Sequence, residues 1–148
     1  MRFNVYTTSM QPVLRPGDAL IVEGGAIAEV TPGAIVVVHN GNVWIVHRLI
    51  RRRVVGGRLC LQTKGDNRSR ADSGIDGSAP IGVVKSVERG ERSLSLLTWR
   101  ARHGGRVLAC LSRAQAGLYV PAPGVLRRLI MGGMRRGIYI LALLVYKL

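Results

Sequence analysis

Asn40-Gly41 is the strongest short turn signal in the chain, and it separates two apolar runs, Ala34 to Val38 and Val43 to Val55. Asn-Gly is the preferred pair for a two-residue β-hairpin loop, because both positions need a positive φ that Asn and Gly tolerate. The sequence therefore predicts an antiparallel hairpin whose second strand is long. A chain built around such a hairpin contains a sheet.

Short apolar runs separated by turn residues continue on both sides of this hairpin. Gly56-Gly57 ends the long strand, so the run that follows is expected to return beside it as a second hairpin. The polar segment from Gly65 to Gly77 is typical of a loop. This pattern predicts a mainly β domain. Its further predicted strands are Phe3 to Thr7, Ala19 to Val22, Arg58 to Lys64, Ile81 to Val87 and Ser93 to Leu97.

The apolar spacing becomes helical from Ala101 onward, and Pro121 and Pro123 interrupt it. Leu126 to Lys147 then predicts one helix, or two helices that part at Gly132-Gly133. We therefore expect a β domain over residues 1–98 and a basic, helical C-terminal extension over residues 99–148.

The formal net charge of +14 is unevenly distributed, because all eight acidic residues lie at or before Glu91. Two arginine pairs, Arg127-Arg128 and Arg135-Arg136, fall in the C-terminal segment. They suit an anionic membrane surface or a partner's groove, or they are simply solvated on a helix that packs against the β domain. A nucleic-acid-binding module is a competing interpretation, but only 5% of the residues are aromatic, so no nucleic-acid partner is expected.

The apolar run from Gly137 to Leu148 is shorter than the roughly 20 residues that a membrane-spanning helix needs. No apolar segment precedes Ser9. The sequence thus predicts a cytoplasmic protein or one attached peripherally to a membrane. Cys60 and Cys110 are far apart and form no C-x-x-C pair, so we expect two free, mostly buried thiols, with no metal site and no cofactor.

Ser9 begins the first of three short motifs that carry reactive side chains. Pro12 fixes its own φ and keeps Gln11 out of the α region, so the serine is expected on a rigid turn after a strand. A hydroxyl held in this way can act as a nucleophile if a base reaches it.

The other two motifs supply a base and acids. His47 lies on the long predicted strand, and Asp66 and Asp72 lie in the polar loop. A hydroxyl, an imidazole and a carboxylate are the three parts of a catalytic triad, whatever their order in the chain. Either aspartate could orient the imidazole. Lys64 is the alternative base, because a desolvated lysine can also activate a serine.

Taken together, the three motifs resemble the type I signal peptidase family, in the serine–histidine branch found in archaeal and endoplasmic-reticulum enzymes. The resemblance covers roughly Val5 to Val87, and Arg68 departs from it, since the branch usually has an asparagine there. The matching residues are Ser9, Met10, Pro12, His47, Arg48, Thr63, Lys64, Gly65, Asp66, Asn67 and Asp72.

The resemblance implies a signal-peptidase-like (β-clip type) catalytic domain and a serine endopeptidase that cuts a signal or leader peptide after a small residue. Ser9 would be the nucleophile and His47 the general base, with the Ser9 N–H and the Thr7 hydroxyl forming the oxyanion hole. The expected partner is a peptide or preprotein substrate. A self-cleaving repressor-type peptidase is the alternative within proteases, although that type uses a serine–lysine dyad.

Overall fold

The computed structural model describes residues 1–24, 30–40, 42–76, 81–117 and 124–147. Over this part of the chain it is mainly an antiparallel sheet followed by helices, which confirms the predicted fold class. The elements are β1 (Arg2–Asn4), β2 (Ala19–Gly24), β3 (Ile35–Asn40), β4 (Val43–Val55), β5 (Arg58–Lys64), β6 (Ile75–Asp76), β7 (Ile81–Arg89), β8 (Arg92–Ser95), α1 (Trp99–Gly117) and α2 (Gly124–Tyr146).

Both predicted hairpins form, and they place β4 in the interior of the sheet. The strand order is β1-β2-β7-β3-β4-β5-β6, with β8 paired to β7. β3 pairs with β4 up to Asn40 and Val43, while Gly41 lies outside the described residues. β4 turns into β5 through Gly56 and Gly57, whose φ values of 57° and 76° are in the region that glycine favours.

Two strand predictions depart most from the structure, and β8 also ends at Ser95 instead of Leu97. The first strand ends at Asn4 instead of Thr7, since the backbone N–H of Val5 bonds to the carbonyl of Asp18 and the chain then turns. The polar segment predicted as a loop contains β6, which pairs with β5. Ile75 explains this strand, because its side chain is buried beside Leu61 in the second core cluster.

The core has two parts. One cluster lies between the sheet and the helices, and α2 contributes Ile138, Ala142 and Tyr146 to it. These three residues are spaced four apart, so they form one stripe on the helix. The second cluster lies among β3, β4, β5 and β6 and contains Val30, Val36, Val38, Leu49, Leu61 and Ile75.

α2 is one continuous helix that runs through Gly132 and Gly133. Its segment Arg128–Tyr146 has 19 residues and a mean hydropathy of 1.4, and 17% of its most apolar 18-residue stretch is buried. By length and composition alone, this segment is long and apolar enough to cross a membrane. The prediction that the C-terminal run is too short to span was therefore wrong. It counted only the residues after Gly137, whereas the helix begins earlier. Pro121 and Pro123 lie outside the described residues.

Cys60 and Cys110 are both free thiols, as expected. Cys60 is half-buried, but Cys110 is exposed on α1, so the prediction of buried thiols was wrong for Cys110. The helical spacing explains the difference, since Leu108, Ala109 and Ser112 are the residues that α1 turns inward at this point.

Candidate active site

Ser9 lies in a turn that the hydrophobic core holds in place. The turn is closed by backbone hydrogen bonds from Gln11 to Thr8 and from Leu14 to Met10. The side chains of Met10 and Leu14 are almost completely buried, at 2% and 0% exposed. Burial of these neighbours fixes the backbone, while Ser9 itself is only half-buried.

His47 reaches this turn from β4. Its Nε2 atom lies 3.1 Å from Ser9 Oγ. Its Nδ1 atom lies 2.5 Å from Asp72 Oδ2. The three residues thus form a continuous chain of hydrogen bonds from carboxylate to hydroxyl, with the imidazole ring in the middle and only 6% exposed.

The environment of Asp72 keeps its carboxylate charged. Burial alone would raise the pKa of Asp72, but hydrogen bonds from His47 and Thr63 outweigh burial and lower it. Thr63 Oγ1 donates one of these bonds over 2.6 Å. In the tautomer whose Nδ1–H donates to Asp72, the Nε2 atom of His47 is a hydrogen-bond acceptor for the Ser9 hydroxyl.

Asp66 has a different partner. Arg48 donates to both of its carboxylate oxygens, from Nε over 2.8 Å and from Nη2 over 2.7 Å. Both side chains are fully buried. Burial works against the charge on Arg48, but attraction to Asp66 outweighs it and raises the pKa of Arg48. Of the two predicted aspartates, the structure therefore brings Asp72 to the imidazole and pairs Asp66 with Arg48.

The turn formed by Gly65 and Asn67 contacts the serine turn directly. A Cβ atom on Gly65 would lie 2.7 Å from the Ser9 carbonyl oxygen and 3.0 Å from His47 Nε2, so a larger residue would displace one of them. The Asn67 amide donates to the Ser9 carbonyl over 2.8 Å, and its side chain donates to the Thr8 carbonyl over 3.2 Å. The sequence places Gly65 and Asn67 in a motif of the resembling family, but these positioning roles were not predicted because they depend on contacts that form only in the fold.

Curated relatives match about half of the chain. The signal peptidase complex catalytic subunits of Colletotrichum graminicola and Chaetomium globosum are each 39% identical over 71 and 72 residues, covering 46% and 47% of this chain and 41% and 42% of theirs. The same subunit of Neurospora crassa is 34% identical over 85 residues, covering 55% of this chain and 49% of its own. The chain is homologous to signal peptidase catalytic subunits.

The signal peptidase resemblance is therefore confirmed over about half of this chain. The chain spans less than half the length of the curated relatives it matches. No protein-family model and no solved structure matches it.

Two further candidate residues lie near the hydrogen-bond chain. Thr7 Oγ1 is exposed and lies 3.2 Å from Ser9 Oγ. Lys64 is fully buried, and its Nζ atom donates to the Gly65 carbonyl over 3.3 Å. Within the described part of the chain, the polar side chains hydrogen-bonded to Ser9 Oγ are those of Thr7 and His47.

No group of three or more His, Cys, Asp or Glu side chains that could hold a metal ion occurs among the described residues. His39 and His103, which the sequence places in no motif, each lie against a tryptophan ring, Trp44 and Trp99 respectively.

Lys64 makes stability depend on pH. Burial lowers its pKa from 10.5 to about 8, the Arg48 charge adds to this effect, and the charges of Asp66 and Asp72 oppose it. Between about pH 8 and pH 10.5, Lys64 holds a proton in the unfolded chain that it has released in the folded chain. The free energy of unfolding therefore rises with pH in this range. We expect the free energy of unfolding to rise by about 2 kcal/mol between about pH 7.5 and pH 9.5 through this group.

Chemical denaturation of wild type, Lys64→Met and Lys147→Met across this pH range measures the effect. The gain should persist in Lys147→Met, whose lysine is exposed, and disappear in Lys64→Met. Parallel stability curves for wild type and Lys64→Met would show that the Lys64 pKa is not lowered.

Proposed function

We propose that this protein is a serine endopeptidase of the signal peptidase type, with Ser9 as nucleophile, His47 as general base and Asp72 as the residue that orients the imidazole. The observation that carries the proposal is the chain of contacts from Asp72 Oδ2 through His47 to Ser9 Oγ, at 2.5 and 3.1 Å. The homology to signal peptidase catalytic subunits supports the same reaction.

In the first half of the reaction, Ser9 Oγ attacks the scissile carbonyl carbon while its proton passes to His47 Nε2. The negative charge that develops on the carbonyl oxygen would be stabilised by the Ser9 N–H and the Thr7 hydroxyl. The C–N bond then breaks, and the imidazolium gives its proton to the departing amine. Asp72 stays ionised throughout and stabilises the charged ring.

In the second half, His47 takes a proton from a water molecule, which attacks the acyl group on Ser9. As the ester C–O bond breaks, the imidazolium returns this proton to Ser9 Oγ, and the new carboxyl end of the peptide is released. Lys64 has no part in this scheme. Its ammonium group is held at the Gly65 carbonyl, and β5 points successive side chains to opposite faces, so Lys64 and Thr63 face apart.

The proposed substrate is a signal or leader peptide that binds in extended form and is cut after a small residue. The relatives' name supports signal peptides as the substrate class. An extended peptide suits a protease built on a sheet, because a strand edge supplies backbone hydrogen bonds without regard to side chains.

Cleavage of synthetic peptides tests this proposal. Peptides of about 20 residues should carry an apolar stretch followed by Ala, Val, Leu or Lys at the position before the cut, and mass spectrometry should locate the products. Cleavage after Ala that Ser9→Ala abolishes supports the proposal. Cleavage that persists in Ser9→Ala, or no cleavage of any peptide by the folded protein, would contradict it, whereas cutting only within its own chain would favour a repressor-type peptidase.

We also propose that α2 contacts an anionic membrane surface. One face of the helix is exposed and apolar, with Leu126, Leu129, Ile140 and Leu144 between 51% and 68% exposed. Arg135 and Arg136 lie in the middle of the apolar segment, which favours a helix that lies in the interface over one that crosses it. In the peptide assay, vesicles with anionic lipid should bind the protein and increase cleavage, and neutral vesicles should do neither.

A further inference from the structure

We propose that Tyr146, in the last turn of α2, is a positioning residue for the active site and acts through Arg48 and Asp66. The catalytic part of this proposal rests on the proposed peptidase function. The contact it depends on joins the C-terminal helix to the residue that follows His47 on β4, across 98 positions of sequence.

Tyr146 completes the set of partners of a buried cation. Arg48 uses Nε and Nη2 on Asp66, and its Nη1 donates to the Gly33 carbonyl over 2.7 Å and to the Tyr146 hydroxyl over 3.2 Å. The Tyr146 ring centroid lies 5.8 Å from the guanidinium carbon, and the residue is 5% exposed. A charge fully removed from water needs such partners, so losing one changes where the guanidinium settles.

A shift of Arg48 would reach the serine through Asp66. Asp66 lies between Gly65 and Asn67, the two residues that contact the serine turn. Because Arg48 donates to both oxygens of Asp66, it fixes the orientation of the turn that contains Gly65, Asp66 and Asn67.

α2 is held in the place this contact requires. Arg100 of α1 donates to the carbonyls of Leu144 and Val145, which have no partner within the helix because they lie in its last turn. The Val145 side chain occupies the space where a Cβ atom on Gly104 would be, so the helices pack closely there. The C-terminal end of α2 is thus fixed against α1, which places the Tyr146 hydroxyl at Arg48.

Four variants test the proposal: Tyr146→Phe, Tyr146→Ala, Ile138→Ala and Tyr139→Phe. Ile138 is 2% exposed on the same stripe of α2, about two turns from Tyr146, and Tyr139 is 41% exposed. We expect kcat to fall about tenfold in Tyr146→Ala, with KM within twofold of wild type. Tyr146→Phe keeps the ring but loses the hydrogen bond, so kcat should fall about threefold.

Ile138→Ala should lower Tm as Tyr146→Ala does, yet leave kcat unchanged well below Tm. Equal losses of kcat in Ile138→Ala and Tyr146→Ala would overturn the positioning role, because any loosening of α2 would then be enough to lower kcat. Tyr139→Phe should match wild type in every measurement.

A readout that does not depend on activity separates this inference from the proposed function. The Asn67 amide donates to the Ser9 carbonyl, so its hydrogen exchange should become faster in Tyr146→Ala and not in Ile138→Ala. Unchanged exchange in Tyr146→Ala would refute the coupling even if the wild type cleaves peptides. Faster exchange in a protein that cleaves nothing would support the coupling and refute the peptidase.

Discussion

Ser9→Ala is expected to lower kcat for peptide cleavage by on the order of 10⁴-fold or more, and His47→Ala by a similar factor. The alanine at position 9 removes the attacking oxygen, and the alanine at position 47 removes the atom 3.1 Å away that takes its proton. Because the two side chains act as one unit, the double variant should be no slower than either single variant. Mass spectrometry of peptide products measures all three rates.

Thr8→Ala is the matched control, because Thr8 is exposed and neighbours the serine, and its hydrogen bonds to the described residues are made by its backbone carbonyl. It should cleave at a rate close to wild type, and circular dichroism should show that all variants are folded. Activity that survives in His47→Ala and is lost in Lys64→Met would instead assign the base to the lysine.

Asp72→Asn should lose mainly activity and Asp66→Asn mainly stability, although the two residues are only six positions apart. An asparagine at position 72 still bonds to the imidazole but favours the wrong tautomer, so kcat should fall by roughly 10³- to 10⁴-fold while stability changes little. An asparagine at position 66 leaves Arg48 buried without its counter-charge, which costs about 3–5 kcal/mol of stability.

Steady-state kinetics and chemical denaturation of the same two preparations measure this contrast. For Asp66→Asn, the fraction that remains folded should retain more activity than Asp72→Asn. A stable, fully active Asp72→Asn protein would remove the carboxylate from the proposed mechanism. A stable Asp66→Asn protein would show that the ion pair with Arg48 contributes less than its burial indicates.

Much of the sheet and part of the site follow from local chemistry. Asn40-Gly41 and Gly56-Gly57 permit few alternatives to tight turns, so β4 and β5 have the predicted bounds. Ser9 and His47 stand in motifs whose residue types suit a nucleophile and its base. The strand predictions succeed because backbone geometry is a property of short segments, whereas the roles of Ser9 and His47 stay predictions that their 3.1 Å contact supports.

The choice between the two aspartates depends on tertiary structure that the sequence leaves open. A loop that starts at Gly65 can direct either carboxylate toward the imidazole. Because the buried guanidinium of Arg48 binds Asp66, the carboxylate that reaches the imidazole is that of Asp72. The Thr63 hydroxyl also donates a hydrogen bond to Asp72, which holds this carboxylate in place. The sequence alone does not show that Arg48 is buried.

The helical part was the hardest to predict. Gly132 and Gly133 disfavour a helix by about 1 kcal/mol each, yet α2 continues through them. Its C-terminal half gains enough from burying Ile138, Ala142 and Tyr146 to offset that cost. The contact from Tyr146 to Arg48 has no sequence signal, because it joins two residues that are distant in the chain.

The most direct test is to map the covalent intermediate. A p-nitrophenyl ester of a short peptide ending in Ala should acylate the protein, and peptide mapping by mass spectrometry should locate the acyl group. The proposed mechanism predicts one adduct, on the Ser9 oxygen, that is absent in Ser9→Ala and forms far more slowly in His47→Ala. An adduct on another residue, or one that forms on Ser9 equally fast without His47, would contradict it.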